Sequence, residues 1–182
     1  MKTTLLVTSI IVTATVLTIP VVFSDDDRRE YKQKSIGVAA ISSPLYKEEC
    51  GSCHMAFPPG LLPARSWQKM MAGLEDHFGD NAEISAENHQ AISEFLVNNS
   101  ADDSSYRRSQ KIANSINKED APIRITETPY FKHEHNEIPA RLIKGNEQVK
   151  SLSNCNACHS KAEQGLFDED SINIPGYGRW DD

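Results

Sequence analysis

All four cysteines of the 182-residue chain fall in two pentapeptides, CGSCH at 50–54 and CNACH at 155–159. No other feature constrains the fold as much. Cysteines at positions i and i+3 of a helical turn project from one face, and a histidine at i+4 shares it. Two thiols and an imidazole on one turn match the demands of covalent haem attachment, with two thioethers to the vinyl groups and an axial nitrogen on the iron. The competing readings each lack something. A structural zinc ribbon spaces its paired CxxC motifs about 15–20 residues apart, and the separation here is far larger. A thioredoxin-type redox pair expects a βαβ context, and strand signals are thin throughout. Plain disulfides give no reason for a histidine after each pair. Histidine is 6 of 182 residues, so two such coincidences have a chance of about one in a thousand. Cys50, Cys53, Cys155 and Cys158 are therefore read as thioether donors to two c-type haems, with His54 and His159 as the proximal iron ligands.

The N-terminus places these thiols in an oxidising compartment. Lys2 precedes an uncharged run from Leu5 to Phe23, followed by Ser24 and three aspartates. That is the order of a secretory signal with cleavage after Ser24. Retention of residues 1–24 as an anchor is the alternative, because the run is long enough to span a bilayer. Exported thiols must be paired, metallated or capped, and thioether formation caps them. The formal charge of −7 and pI near 5.4 argue against a nucleic-acid partner, which needs clustered cations.

The remaining chain reads as mainly α-helical: two small haem-binding units with much irregular connection. Residues 25–43 form a loosely held N-terminal arm and 44–100 the first haem unit. Residues 101–120 are a polar connector, whose RRSQK reads as a solvated face, and 121–182 are the second unit. In the first unit FPPGLLP breaks regular structure. A helix is expected over SWQKMMAGLEDHFGDNA, capped by Ser66 and stopped at Gly79, with Trp67, Met70, Met71, Leu74, His77 and Phe78 on its apolar face. A second is expected over SAENHQAISEFLVNN with Ser85 as cap and Ile92, Phe95 and Leu96 inward. In the second unit Thr128-Pro129 starts a helix, a further helix is expected across NEQVKSLSNCNACHSKAEQG, and INIPGYGRW closes the chain as an irregular loop.

Each iron has a second axial position, and filling it favours electron transfer over ligand chemistry. Beyond the leader, methionine occurs only at 55, 70 and 71. Met55 adjoins His54 and cannot reach the opposite haem face, whereas Met70 and Met71 remain open for haem 1. Four histidines stand outside the pentapeptides: His77, His89, His133 and His135. His77 is the first choice for haem 1 and His89 the second. No histidine or methionine follows His159, so haem 2 must draw its ligand from upstream, from His133 or His135. These two point to different sides of any regular element. Bis-histidine ligation at both irons is the expected arrangement.

The blocks YKEECGSCHMAFPPGLLPARSWQKMMAGLEDHFGDNA, RITETPYFKHEHNEIPARLI and NCNACHSKAEQGLFDEDSINIPG, in this order, resemble the dihaem cytochrome c family of bacterial periplasms. The resemblance implies a largely helical two-unit fold with bis-histidine haems and an electron-transfer role. It implies electron supply from a membrane b-type cytochrome and delivery to a small monohaem cytochrome, rather than enzymatic activity. It further implies that His77 is the distal ligand of haem 1 and His135 that of haem 2, with His133 as a departure from the family pattern. The alternative reading is a haem enzyme, a peroxidase or small-molecule reductase with one open iron.

Overall fold

The computed structural model describes residues 25–180. The signal or anchor expected over 1–24 lies outside them. Among the described residues no helix is long and apolar enough to cross a membrane.

Among the described residues seven α-helices carry the architecture: α1 (Asp25–Ile36), α2 (Pro44–Gly51), α3 (Ala64–Met71), α4 (Ala86–Asn98), α5 (Arg107–Ser115), α6 (Pro129–Glu134) and α7 (Cys155–Cys158). Short 3-10 turns link them, and a two-stranded antiparallel ribbon, β1 (Asn173–Ile174) with β2 (Gly178–Arg179), closes the chain. The mainly helical class expected from the pattern is what forms.

Local chemistry explains most boundaries. α2 begins at Ser43, whose hydroxyl accepts from the Tyr46 amide, with Pro44 at the first helical position. α4 begins at Ser85, whose side chain accepts from the Asn88 amide, and buries Ile92 and Leu96. α6 begins at Thr128, whose side chain accepts from the Phe131 amide. The Pro58–Pro59 pair permits only a 3-10 turn, Pro59–Leu61.

Three expectations are corrected. First, α3 starts after Pro63 and ends at Met71, so Ser66 is a buried helical residue rather than a cap. The chain leaves the helix through a 3-10 turn, Leu74–Asp76. Trp67, Met71 and Leu74 are core, but Phe78 is exposed. Second, the long helix expected around CNACH shrinks to the four residues of α7. Asn146 and Ser151 accept from the amides of Gln148 and Ser153, and Lys150 adopts a left-handed φ of 64°. Side chains of this kind offer the backbone an alternative to helical bonds. Third, the stretch read as a loose arm contains α1 and then a strap. The Val38 amide donates to the Gly165 carbonyl at 2.8 Å, and Gly37 bridges to Leu166.

Among the described residues the apolar core forms three clusters. One packs Tyr46, Trp67, Met71, Ile92 and Leu96 beneath the first pentapeptide. Another packs Ile143, Val149 and Ile174 beneath the second. Between them Val38, Leu61, Ile112 and Ile116 join the strap, the first unit and α5, with Tyr130 and Phe167 of the second unit against them. The polar segment 101–120 therefore contributes core through one face of α5.

Candidate haem sites

Each pentapeptide sits where a helical turn meets a loop. At the first site Cys50 lies in α2, and Cys53 and His54 follow in the turn after it. The His54 Nδ1 lies 2.8 Å from the Met55 carbonyl. A carbonyl only accepts, so Nδ1 carries the proton and Nε2 is left for a metal. The His54 ring packs against Phe57 with centroids 5.3 Å apart.

His77 stands across from it. Its ring centroid is 6.1 Å from that of His54, with the planes 19° apart. His77 and Asp80 pair through both backbone bonds, and the residues between them, Phe78 and Gly79, both have positive φ, 59° and 103°. This is the primed geometry of a two-residue hairpin turn. It costs strain at Phe78, where only glycine is at ease, and it aims His77 back at His54. Burial, the adjacent His54 and the Arg124 guanidinium hold the His77 imidazole below its ordinary pKa, against the opposing pull of Asp80.

The second site repeats this logic with different elements. α7 carries Cys155 and Cys158, and His159 follows directly. His135 caps the C-terminus of α6. Its Nδ1 lies 2.9 Å from the Phe131 carbonyl, which again places the proton on Nδ1. Its ring stacks on Phe131 with centroids 3.8 Å apart. The His135 and His159 centroids are 6.2 Å apart, with planes at 72°. Phe167 lies edge-on to His159 at 5.4 Å. Burial, His135 and Arg108 push the His159 pKa down to about 4, which keeps it in the neutral form that binds metals. The thiols of Cys50 and Cys155 are pushed up to about 11 by burial.

The two centroid separations test the fit to an iron. A ligating imidazole nitrogen sits about 2 Å from its metal and about 1 Å from its ring centre, so two imidazoles on opposite faces of one metal have centroids about 6 Å apart. Both pairs meet that condition. The second pair also borders a cavity of about 350 Å³ that is lined by Cys155, Cys158 and the apolar side chains of Ile138, Ile143 and Ile174. A smaller cleft of about 150 Å³ is lined by Gly51 and His54 from one site and Asn156 and Glu163 from the other. The two attachment segments thus lie side by side.

The chain has the family's own architecture. Residues 46–167 match the model of the dihaem cytochrome c family. It belongs to the dihaem cytochrome c family. The cytochrome is 44% identical to a dihaem cytochrome c from Shewanella baltica OS155, over 76% of this chain and 97% of that one, with a TM-score of 0.64. It is 42% identical to a dihaem cytochrome c from Rhodobacter sphaeroides, over 71% of this chain and 100% of that one, with a TM-score of 0.63. The crystal structure of DHC purified from Rhodobacter sphaeroides aligns at 40% identity, over 70% of this chain and 99% of that one, with a TM-score of 0.57. No curated protein sequence matches. The cytochrome carries two covalently attached c-type haems, and electron transfer is the role that family membership supports.

Other residues raised by the sequence lie elsewhere. His89 Nε2 is 2.9 Å from the Met71 carbonyl. Met71 is buried in the first core cluster, with Met70 packed against it. His133 is exposed, whereas His135 is half-buried; both border the larger cavity. Sequence reasoning missed Phe57, Phe131 and Phe167, each packed against one imidazole, and placed Arg108 on a solvated face. The Arg108 side chain is 14% exposed and lines the cavity at His159. The signal for it was available: Ser109, Ile112 and Ile116 recur at helical spacing, and Arg108 flanks that inward face.

Proposed function

We propose that this dihaem cytochrome is a periplasmic electron carrier with both irons closed by histidine pairs, His54 with His77 and His159 with His135. The pair separations of 6.1 and 6.2 Å carry this reading. The bound haems supply a one-electron ferric–ferrous couple. The chain's own part is to hold each iron between two neutral imidazoles, so that no position is left for substrate and little rearrangement accompanies electron gain. The Nδ1 bonds of His54 and His135 fix tautomer and ring orientation. A membrane b-type cytochrome is the proposed donor and a small monohaem cytochrome the proposed acceptor. Weak docking through small interfaces is what such exchange requires.

The decisive measurement is spectroscopic. The oxidised protein should show two low-spin irons, and the reduced protein should ignore carbon monoxide. His77→Ala and His135→Ala should each convert one of the two haems, half of the iron, to a high-spin, gas-binding form, whereas His133→Ala should convert none. A high-spin or carbon monoxide-binding haem in the unmodified protein would favour a haem enzyme and overturn this reading.

A further inference from the structure

We infer that Arg108 is a positioning residue of haem 2 that sets its reduction potential upward by holding a largely buried positive charge beside the His135–His159 pair. The inference rests on the assignment of that pair to one iron.

The observations converge on one guanidinium. Arg108 comes from α5, outside both haem-attachment segments. Its Nη1 donates to the Tyr130 hydroxyl at 2.9 Å and its Nη2 to the Phe167 carbonyl at 3.0 Å. Tyr130 belongs to α6, which presents His135, and Phe167 packs against His159. One side chain therefore ties α6, which presents His135, to the residue that packs against His159. Among the described residues lining the cavity, Arg108 is the one permanent cation, beside the carboxylates Glu134, Glu137 and Glu169. Glu134 and Glu169 lie 3.6 and 3.9 Å from the guanidinium, farther than its two hydrogen-bond partners. The Tyr130 hydroxyl, while accepting from Arg108, donates to Glu134 at 3.0 Å.

The sign follows from charge. Ferric iron between neutral imidazoles carries one more positive charge than ferrous iron. A nearby cation disfavours the ferric form, and a nearby carboxylate favours it. A guanidinium that is 14% exposed is screened by little water and by little salt. Loss of Arg108 removes the cation and leaves Glu134 and Glu169 unopposed, so both changes lower the potential. Arg124, beside His77 at the other site, is the contrast. It stacks on Phe78, 4.0 Å from the ring centroid, but its side chain is 49% exposed and paired with Glu127 at 3.7 Å. Its field should be largely screened.

The test is a spectroelectrochemical titration of the holoprotein, with the two waves assigned through His77→Ala and His135→Ala. In Arg108→Gln the haem 2 wave should move negative while haem 1 stays in place, and the shift should persist at high salt. Arg108→Lys should restore most of it, and Glu134→Gln should move haem 2 the opposite way. Arg124→Gln should shift haem 1 by less, and salt should erase that shift. An unmoved haem 2 wave in a protein whose irons remain low-spin overturns the inference alone; high-spin iron in the unmodified protein overturns the ligand assignment beneath it. Should Arg108→Gln fail to mature, Glu134→Gln decides: a haem 2 wave that does not rise refutes the proposal.

Discussion

Replacing Thr128 with alanine isolates the link between local structure and the haem 2 iron. Thr128 is 1% exposed and its hydroxyl does two jobs. It accepts from the Phe131 amide at 3.3 Å as the cap of α6, and it donates to the Ile125 carbonyl at 2.9 Å. Loss of such a cap costs about 1 kcal/mol. The bond to Ile125 is worth about 1 kcal/mol more, and no more than that, because the same carbonyl keeps the Thr128 amide at 3.1 Å. The buried methyl adds somewhat under 1 kcal/mol. The expected destabilisation is thus about 2–3 kcal/mol, a change of roughly thirtyfold or more in the local opening equilibrium. α6 is six residues long and cannot persist without its cap and its packing. Its carbonyl at Phe131 fixes the His135 tautomer. The loss should therefore appear first at haem 2. In a denaturant titration of the oxidised holoprotein, followed by the spin-state absorption, one of the two haems in Thr128→Ala should lose its low-spin signature at lower denaturant than in the unmodified protein. The other should follow the global transition. Thr128→Ser keeps the hydroxyl and should lose under about 1 kcal/mol. If the alanine and serine variants behave alike, or if both haems shift together, the reasoning about the cap is wrong.

Three further outcomes are expected. The ring planes of the two pairs differ, 19° at haem 1 and 72° at haem 2. Near-parallel imidazoles split the iron π orbitals and near-perpendicular ones leave them close in energy, so low-temperature EPR of the oxidised protein should show one rhombic and one highly anisotropic low-spin signal; two equivalent rhombic signals would contradict the geometry. His89→Ala should leave both irons low-spin in the same spectra, because its Nε2 is engaged with the Met71 carbonyl. Gly165→Ala should destabilise the holoprotein by at least about 1–2 kcal/mol from left-handed strain, since Gly165 has φ of 75° and an added Cβ would run into the Val38 carbonyl; an unchanged thermal midpoint would show the strap to be dispensable.

Much of the site was legible because its chemistry is local. Two thiols and an imidazole must share one helical turn, so CGSCH and CNACH declare themselves without any fold. The absence of histidine and methionine after His159 forced the search for a second ligand upstream, toward HEHNEI. Ser85 as a cap announced α4, and Pro129 at the first helical position announced α6, because both signals act between neighbours in sequence. The reading failed where the decision was made elsewhere. The apolar spacing around Trp67 continues formally to Phe78, but the chain leaves the helix after Met71, and Phe78 ends exposed at the tip of a primed turn. The stretch before CNACH has a helical spacing in principle, yet its asparagine and serine side chains take the backbone bonds for turns.

The sequence by itself pointed to the cofactor, to CGSCH and CNACH as its expected attachment points, and to the family, because covalent haem chemistry depends on residue types at fixed short spacing. The tertiary structure decided which histidines face each other, at what ring angles, and that Arg108 enters the haem 2 cavity. It also decided that Val38 straps the first unit to the segment following CNACH. Those are contacts between residues distant in the chain, set by how α5, α6 and the strap pack around one shared core cluster, and periodicity within a single segment carries no information about them.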